Sequence, residues 1–172
     1  AFSGQIILQQ GQINLATNAA NSITGTITLH NGTQLNISTS GASTPLTLAN
    51  NATANLSAGG LTYNGVISGN NTTVLQISNS SSGTSNFTLG GSLAGFSGKI
   101  RLTGTGNIRI GSSGSSQADF DLGNSTGTIR STFDGTVYFG SLTGGSNTRL
   151  QGSTNGTTAS TYIIGGNNKS TT

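Results

Sequence analysis

The 172-residue chain lacks cysteine, methionine, tryptophan and glutamate, has a single proline, and contains only 5% charged residues. Without cysteine it can form no disulfide, no thiolate metal site and no cysteine nucleophile. Its apolar runs are far shorter than a membrane-spanning segment. Its few cations are spread along the chain, whereas nucleic-acid binding needs a dense cationic stripe. The sequence therefore predicts no membrane span, no nucleic-acid partner and no cofactor.

Glycine, threonine, serine and asparagine are abundant instead, and together they make up more than half of the chain. The apolar residues among them alternate with polar ones, most clearly in 2–8, 23–29, 96–102 and 133–139. A period of two places alternate side chains on one face of a β-strand. No segment has a helical period, and Thr, Ser, Asn and Gly are poor helix formers. The spacing thus predicts an all-β protein.

One short motif recurs five times: an aromatic residue or Ile, any residue, Gly, any residue, then Ile or Val. The copies are FSGQI (2–6), ITGTI (23–27), YNGVI (63–67), FSGKI (96–100) and FDGTV (133–137). Recurrence indicates units that bury their apolar face by stacking on a neighbour. The central glycine would allow backbone or a ring to approach closely. The predicted inward, stacking set is Phe2, Ile6, Ile27, Ile67, Phe96, Ile100, Phe133 and Val137.

Short strands at roughly 20 residues per turn favour a parallel β-helix, or β-solenoid, of about eight rungs. Its narrow core needs few apolar residues, and stacked Asn or Thr ladders would add hydrogen bonds along the axis. The alternative all-β interpretation is a sandwich or jelly roll, which would require hairpin turns.

The two ends of the chain together rebuild an internal pattern. The segment FTLGGSLAGFSGKI (87–100) joins two halves that recur as YIIGG (162–166) and AFSGQI (1–6). Residues 1–172 are therefore predicted to be one β-solenoid unit, a single period of a tandem array or head-to-tail filament. An arbitrary cut from a long irregular chain is the alternative. Because the ends carry little charge and Pro45 is internal, axial self-association is expected.

The candidate ligand-binding residues are the outward-facing cations Lys99, Arg101 and Arg109, which are predicted to line up on adjacent rungs. They suit a site for anionic surface glycans, or a solubilising surface that blocks sideways sheet pairing. His30 precedes the turn pair Asn31-Gly32 and has no neighbouring ligand in sequence, so a metal role is not predicted.

A catalytic interpretation would use the carboxylates. Asp119 and Asp121 are two residues apart and therefore share a strand face, and Asp134 could lie on a nearby rung. Such carboxylates could act as acid and base in polysaccharide cleavage, or could bind calcium with turn carbonyls. Because Phe120 and Leu122 take the inward parity, both Asp side chains are expected to face solvent, and no catalytic or metal-binding residue is predicted.

The motifs resemble the autotransporter-associated β-strand repeats of bacterial surface and secreted passenger proteins. The resemblance is carried by YNGVISG (63–69), FSGKI (96–100) and GTGNIRI (104–110). It implies a parallel β-helix, right-handed, exported by a bacterium to the cell surface or the medium, and without catalytic residues of its own.

These observations together predict a non-enzymatic structural protein: the rigid building block of an extracellular bacterial fibre or stalk that associates with copies of itself. The alternative is an adhesin-type module that binds carbohydrate through the Lys99, Arg101 and Arg109 surface.

Overall fold

A computed structural model describes residues 1–16, 23–79, 86–124, 126–152 and 159–169. In these ranges the protein consists of parallel sheets stacked as a β-solenoid of about 7 turns, with no helix. Consequently no helix of the described residues is long and apolar enough to span a membrane. The prediction of a parallel β-helix is confirmed.

Within the described ranges, seventeen strands form three parallel sheets that make up the sides of the coil. The first sheet contains β1 (Ile6–Leu8), β3 (Ile27–Leu29), β5 (Leu46–Leu48) and β8 (Ile67–Ser68). The second contains β2 (Gln12–Leu15), β4 (Gln34–Ile37), β6 (Thr53–Ala58), β9 (Val74–Ser78), β11 (Lys99–Leu102), β13 (Gly114–Asp121), β15 (Gly135–Thr143) and β17 (Ser160–Ile164). The third contains β7 (Thr62–Tyr63), β10 (Asn86–Leu89), β12 (Asn107–Ile110), β14 (Thr128–Ser131) and β16 (Arg149–Gln151).

Every described strand pairs in parallel with the strand one turn away, as β1 does with β3 and β12 with β14. Parallel neighbours need a crossover connection, which the rest of each turn supplies. Among the described strands no hairpin pairing occurs, so the alternative of a sandwich built on hairpins is wrong.

A threonine turn marks several corners where the chain enters a new sheet. In HNGT (30–33), the Thr33 N–H and hydroxyl both donate to the His30 carbonyl, at 3.2 and 2.7 Å. Thr73 bonds to the Asn70 carbonyl in the same way before β9. Thr148 repeats the arrangement with Gly145 before β16. Because the threonine hydroxyl is hydrogen-bonded to the carbonyl at the corner, the side chain can be buried there, as it is at Thr33 and Thr73.

The core is one contiguous cluster that runs through the coil, as the alternating pattern predicts. Five members of the predicted inward set are buried in it: Ile27, Ile67, Phe96, Ile100 and Val137. Two more, Ile6 and Phe133, are partly buried against it.

Phe2 does not belong to the core, and this part of the prediction is wrong. Its side chain is 50% exposed. Its strand position bridges Ile23 on the second turn, but no described turn packs on its other side. The alternation gave the correct side for Phe2, whereas burial also requires a neighbouring turn.

The motif glycines allow close approach. A Cβ on Gly25 would overlap the backbone carbonyl of Gly4, and one on Gly65 would overlap that of Thr44. At Gly135, a Cβ would lie 3.0 Å from the Phe133 ring. Backbone on the neighbouring turn or the motif's own ring thus occupies the space that a side chain would need.

Polar ladders follow the outer surface along the axis, as predicted. The Asn36 amide donates to the Asn14 side-chain oxygen at 2.6 Å, and the Asn70 amide to that of Asn50 at 2.8 Å. The Thr47 and Ser68 hydroxyls are 3.0 Å apart. These bonds join successive turns and hold the strands in register.

Candidate functional site

Both ends of the described coil present open apolar surface. At the start, Phe2 is 50% exposed, and at the other end Leu150 and Ile164 are each 40% exposed. Leu150 is in register with buried Ile129, and Ile164 with buried Phe139. The exposed side chains therefore continue inward-facing rows, and the core is uncovered at both ends.

The strands at these ends have an edge without a strand partner among the described residues. β1 and β2 are the first strands of their sheets, and β16 and β17 are the last. The β1, β2 and β17 segments IIL, QINL and STYII contain neither charge nor proline, whereas β16 (RLQ) carries Arg149. Sheet edges are ordinarily protected by these features, because an unprotected edge pairs readily with another strand.

Asp119 anchors the segment that follows β17. Its carboxylate accepts hydrogen bonds of 2.7 Å from the Ser141 hydroxyl, the Asn167 amide and the Lys169 ammonium group. A Cβ on Gly140 would lie 2.6 Å from the Asn167 amide nitrogen, so the glycine leaves room for the Asn167 side chain to reach Asp119. The bonds fasten residues 165–169 across the outer face of the second sheet.

The pKa of Asp119 reflects these contacts. Burial raises the pKa, but the hydrogen bonds from Lys169, Ser141 and Asn167 and the Lys169 charge outweigh burial and lower it below its usual value. Asp119 is therefore a carboxylate at neutral pH. A general acid in glycoside cleavage needs the opposite shift, so the residue is poorly suited to that role.

Acid is expected to release the segment that Asp119 holds. Because the pKa is lower in the folded than in the unfolded state, the stabilisation is fully present above about pH 4, the ordinary pKa of aspartate, and is lost as the pH falls through the folded-state value. Asp119→Asn should lower the free energy of unfolding by about 1 kcal/mol at pH 7, since Lys169 is half exposed. It should also reduce the loss of stability below pH 4 in thermal unfolding.

The control is Asp134→Asn, which removes an equal charge at an exposed position. This variant should keep the stability of the unmodified chain at pH 7 and its loss in acid. Hydrogen exchange at 165–169 should become faster only in the Asp119 variant. If exchange there is equal in both variants, Asp119 does not hold this segment.

The predicted cationic stripe is divided between two sheets. Lys99 and Arg101 lie on β11, in register with Asp119 and Asp121 on β13. The Asp121 carboxylate is 3.0 Å from the Arg101 Nε and 3.9 Å from the Lys99 Nζ. Both cations are thus paired within the protein. The prediction that Lys99, Arg101 and Arg109 line up on adjacent rungs is wrong, because Arg109 lies on the third sheet.

Arg109 lies on β12 in the third sheet, where its register partner is Arg130 on β14. Sequence reasoning missed Arg130. The signal was present, because GNIRI (106–110) and GTIRS (127–131) share their Ile-Arg pattern at a separation of 21 residues. The same separation recurs between residues bonded on successive turns elsewhere in the coil.

Asp119 and Asp121 take the outward parity that was predicted for them, while Phe120 and Leu122 are buried. The Asp121 carboxylate forms an ion pair with Arg101, and the Asp119 carboxylate forms one with Lys169. Asp134 is exposed just before β15. No cluster of three or more His, Cys, Asp or Glu residues suited to a metal ion occurs within the described ranges.

A bulge in β13 between Ser115 and Asp119 opens a cavity of about 250 Å³ on the side of the coil. It is lined by residues 113–117, Ala94 and Tyr138. Tyr138 is 38% exposed and is in register with Ile163, which is also exposed. The cavity is shallow and carries no charged side chain.

Comparison of the chain with protein-family models, with curated proteins and with solved structures gives no match.

Proposed function

We propose that this protein is a structural building block: a rigid extracellular β-solenoid whose copies join end to end in a bacterial surface fibre or stalk. The observation that carries the proposal is the open core at both ends of the coil. Phe2 at one end and Leu150 and Ile164 at the other expose apolar surface that another turn would cover.

A second copy of this chain is the occupant that best fits each end. The exposed edges are parallel strands, and only a parallel strand of matching inward rows continues both the hydrogen-bond ladder and the core. β2 and β17 are the two ends of the second sheet, and neither QINL nor STYII carries a charge that would oppose pairing. The resemblance to passenger repeats supports a location outside the cell.

The coil itself suits a mechanical role. About 7 turns at ~4.8 Å give a rod on the order of 35 Å, in which backbone ladders run along the axis. Axial load is then shared by the parallel hydrogen bonds of three sheets and by the polar ladders outside them.

End-to-end association is tested by sedimentation and electron microscopy over a range of concentrations. The unmodified chain should form rods of constant width whose lengths are multiples of one unit. Ile164→Lys places a charge in the open end, so this variant should sediment as single units at concentrations at which the unmodified chain is polymeric, an effect of at least tenfold on association.

The matched control is Val66→Lys. Val66 is 48% exposed, like Ile164, but it lies at the entrance to β8 on the side of the rod. It should polymerise like the unmodified chain. The proposal is wrong if the unmodified chain remains a single unit at all concentrations, or if both lysine variants lose association equally while keeping their thermal stability.

A further inference from the structure

The outer face of the third sheet carries two arginines side by side. One outward row runs through Thr62, Thr88, Arg109, Arg130 and Gln151, each in register with the next. We call it the arginine row. Successive turns are about 4.8 Å apart, so the two guanidinium groups project from neighbouring rungs. Arg149 precedes Gln151 by two residues and is exposed on the same face.

These two charges have no counterion within the described part of the chain. The Nε atoms of Arg109 and Arg130 are both buried and have no hydrogen-bond partner. The salt bridges of the described residues involve only Asp119 and Asp121, which lie on the second sheet. Burial lowers the pKa of Arg109, and the charge of Arg130 lowers it further. Like charges in register are unfavourable without an anion.

The second sheet shows how the same fold neutralises its cations. There, Lys99 and Arg101 lie directly opposite Asp119 and Asp121 on the next turn. The arginine row has Thr88 and Gln151 at the corresponding positions, and neither can supply a negative charge. The arginines of the third sheet therefore have no carboxylate partner among the described residues and are available to an anion of another molecule.

We propose that Arg109 and Arg130 together bind a carboxylate or sulfate group of an acidic polysaccharide, with Arg149 contacting a further charged group along the same chain. A guanidinium group donates paired N–H bonds to such oxyanions. Both side chains are only partly buried, and a turn of each guanidinium would present its Nε to the ligand.

The surroundings of the row favour a sugar chain over a nucleic acid. The neighbouring Thr62, Thr88 and Gln151 offer hydroxyl and amide groups for sugar hydroxyls. Gly90 and Gly111 follow Thr88 and Arg109 at the next outward positions, and the polar side chains of Asn64 and Thr132 lie against them. The row contains no aromatic residue on which bases could stack.

The test uses dextran, carboxymethyl dextran and dextran sulfate, which share one backbone and differ in charge. The unmodified chain should bind both charged polymers and not dextran, and binding should weaken as salt is raised. Arg109→Gln and Arg130→Gln should each weaken binding at least tenfold. Because both residues act on one group, the double variant should lose less than the product of the two single effects.

The matched control is Lys99→Gln, which removes the same charge from a residue that is paired with Asp121. It should change affinity less than twofold. Equal losses in Lys99→Gln and Arg130→Gln would mean that only net charge matters, and would overturn the proposal. So would failure of the unmodified chain to bind either charged polymer, or equally tight binding of duplex DNA. Ile164→Lys should retain full binding, which separates this site from end-to-end association.

Discussion

Ile100→Asp is expected to abolish the folded coil. Ile100 is 1% exposed and lies in register between Leu75 and Phe120 on the adjacent turns. A carboxylate there would be buried without a partner, which costs several kcal/mol, a large part of the 5–15 kcal/mol that stabilises a typical domain. Circular dichroism should show loss of the β signal, and heating should give no cooperative transition.

Two further variants make this expectation specific to the inward position. Gln76→Asp introduces the same charge on the neighbouring turn at an outward site in register with Arg101, and it should fold normally. Ile100→Val should remain folded and lose about 0.5–1.5 kcal/mol of stability. A folded Ile100→Asp variant that melts near the unmodified chain would mean that the strand register described above is wrong.

Gly65→Ala is expected to have the next largest effect. Gly65 is buried where successive turns meet, and a Cβ there would overlap the Thr44 carbonyl oxygen and lie 2.7 Å from the Tyr63 ring. The Tyr63 hydroxyl also donates to that carbonyl, so the methyl group would disturb this buried bond. Because backbone must move, the loss should be about 1–3 kcal/mol or more, measured by thermal or denaturant unfolding.

Gly152→Ala is the matched control, because a Cβ at Gly152 would meet no atom within 4 Å. It should change stability very little. Equal stability of the two alanine variants would show that the turns do not approach each other as closely at Gly65 as described.

The sequence was sufficient to predict the parallel solenoid. Alternation gave the correct inward parity for Ile27, Ile67 and Ile100, and these side chains are buried. The recurring glycine predicted close approach, which occurs at Gly25 and Gly65. These features follow from local periodicity and from steric limits on the backbone, and neither depends on which strands are neighbours.

The charged residues show where the prediction failed. Lys99, Arg101 and Arg109 are close in sequence and share the outward parity, but a corner of the coil separates Arg109 from the other two. Arg130 is 21 residues away from Arg109 and is its direct neighbour. In a solenoid, spatial neighbours are one turn apart, so sequence proximity is a poor guide to which charges meet.

The amino-acid sequence alone thus determined the all-β class, the inward parity of the regular strands and the absence of charge from β1, β2 and β17. Only the tertiary structure decided which sheet each strand joins, which cations find a carboxylate and which side chains remain uncovered at the ends. The reason is that side-chain direction is set by the backbone within one strand, whereas pairing and burial depend on the turn that stacks against it.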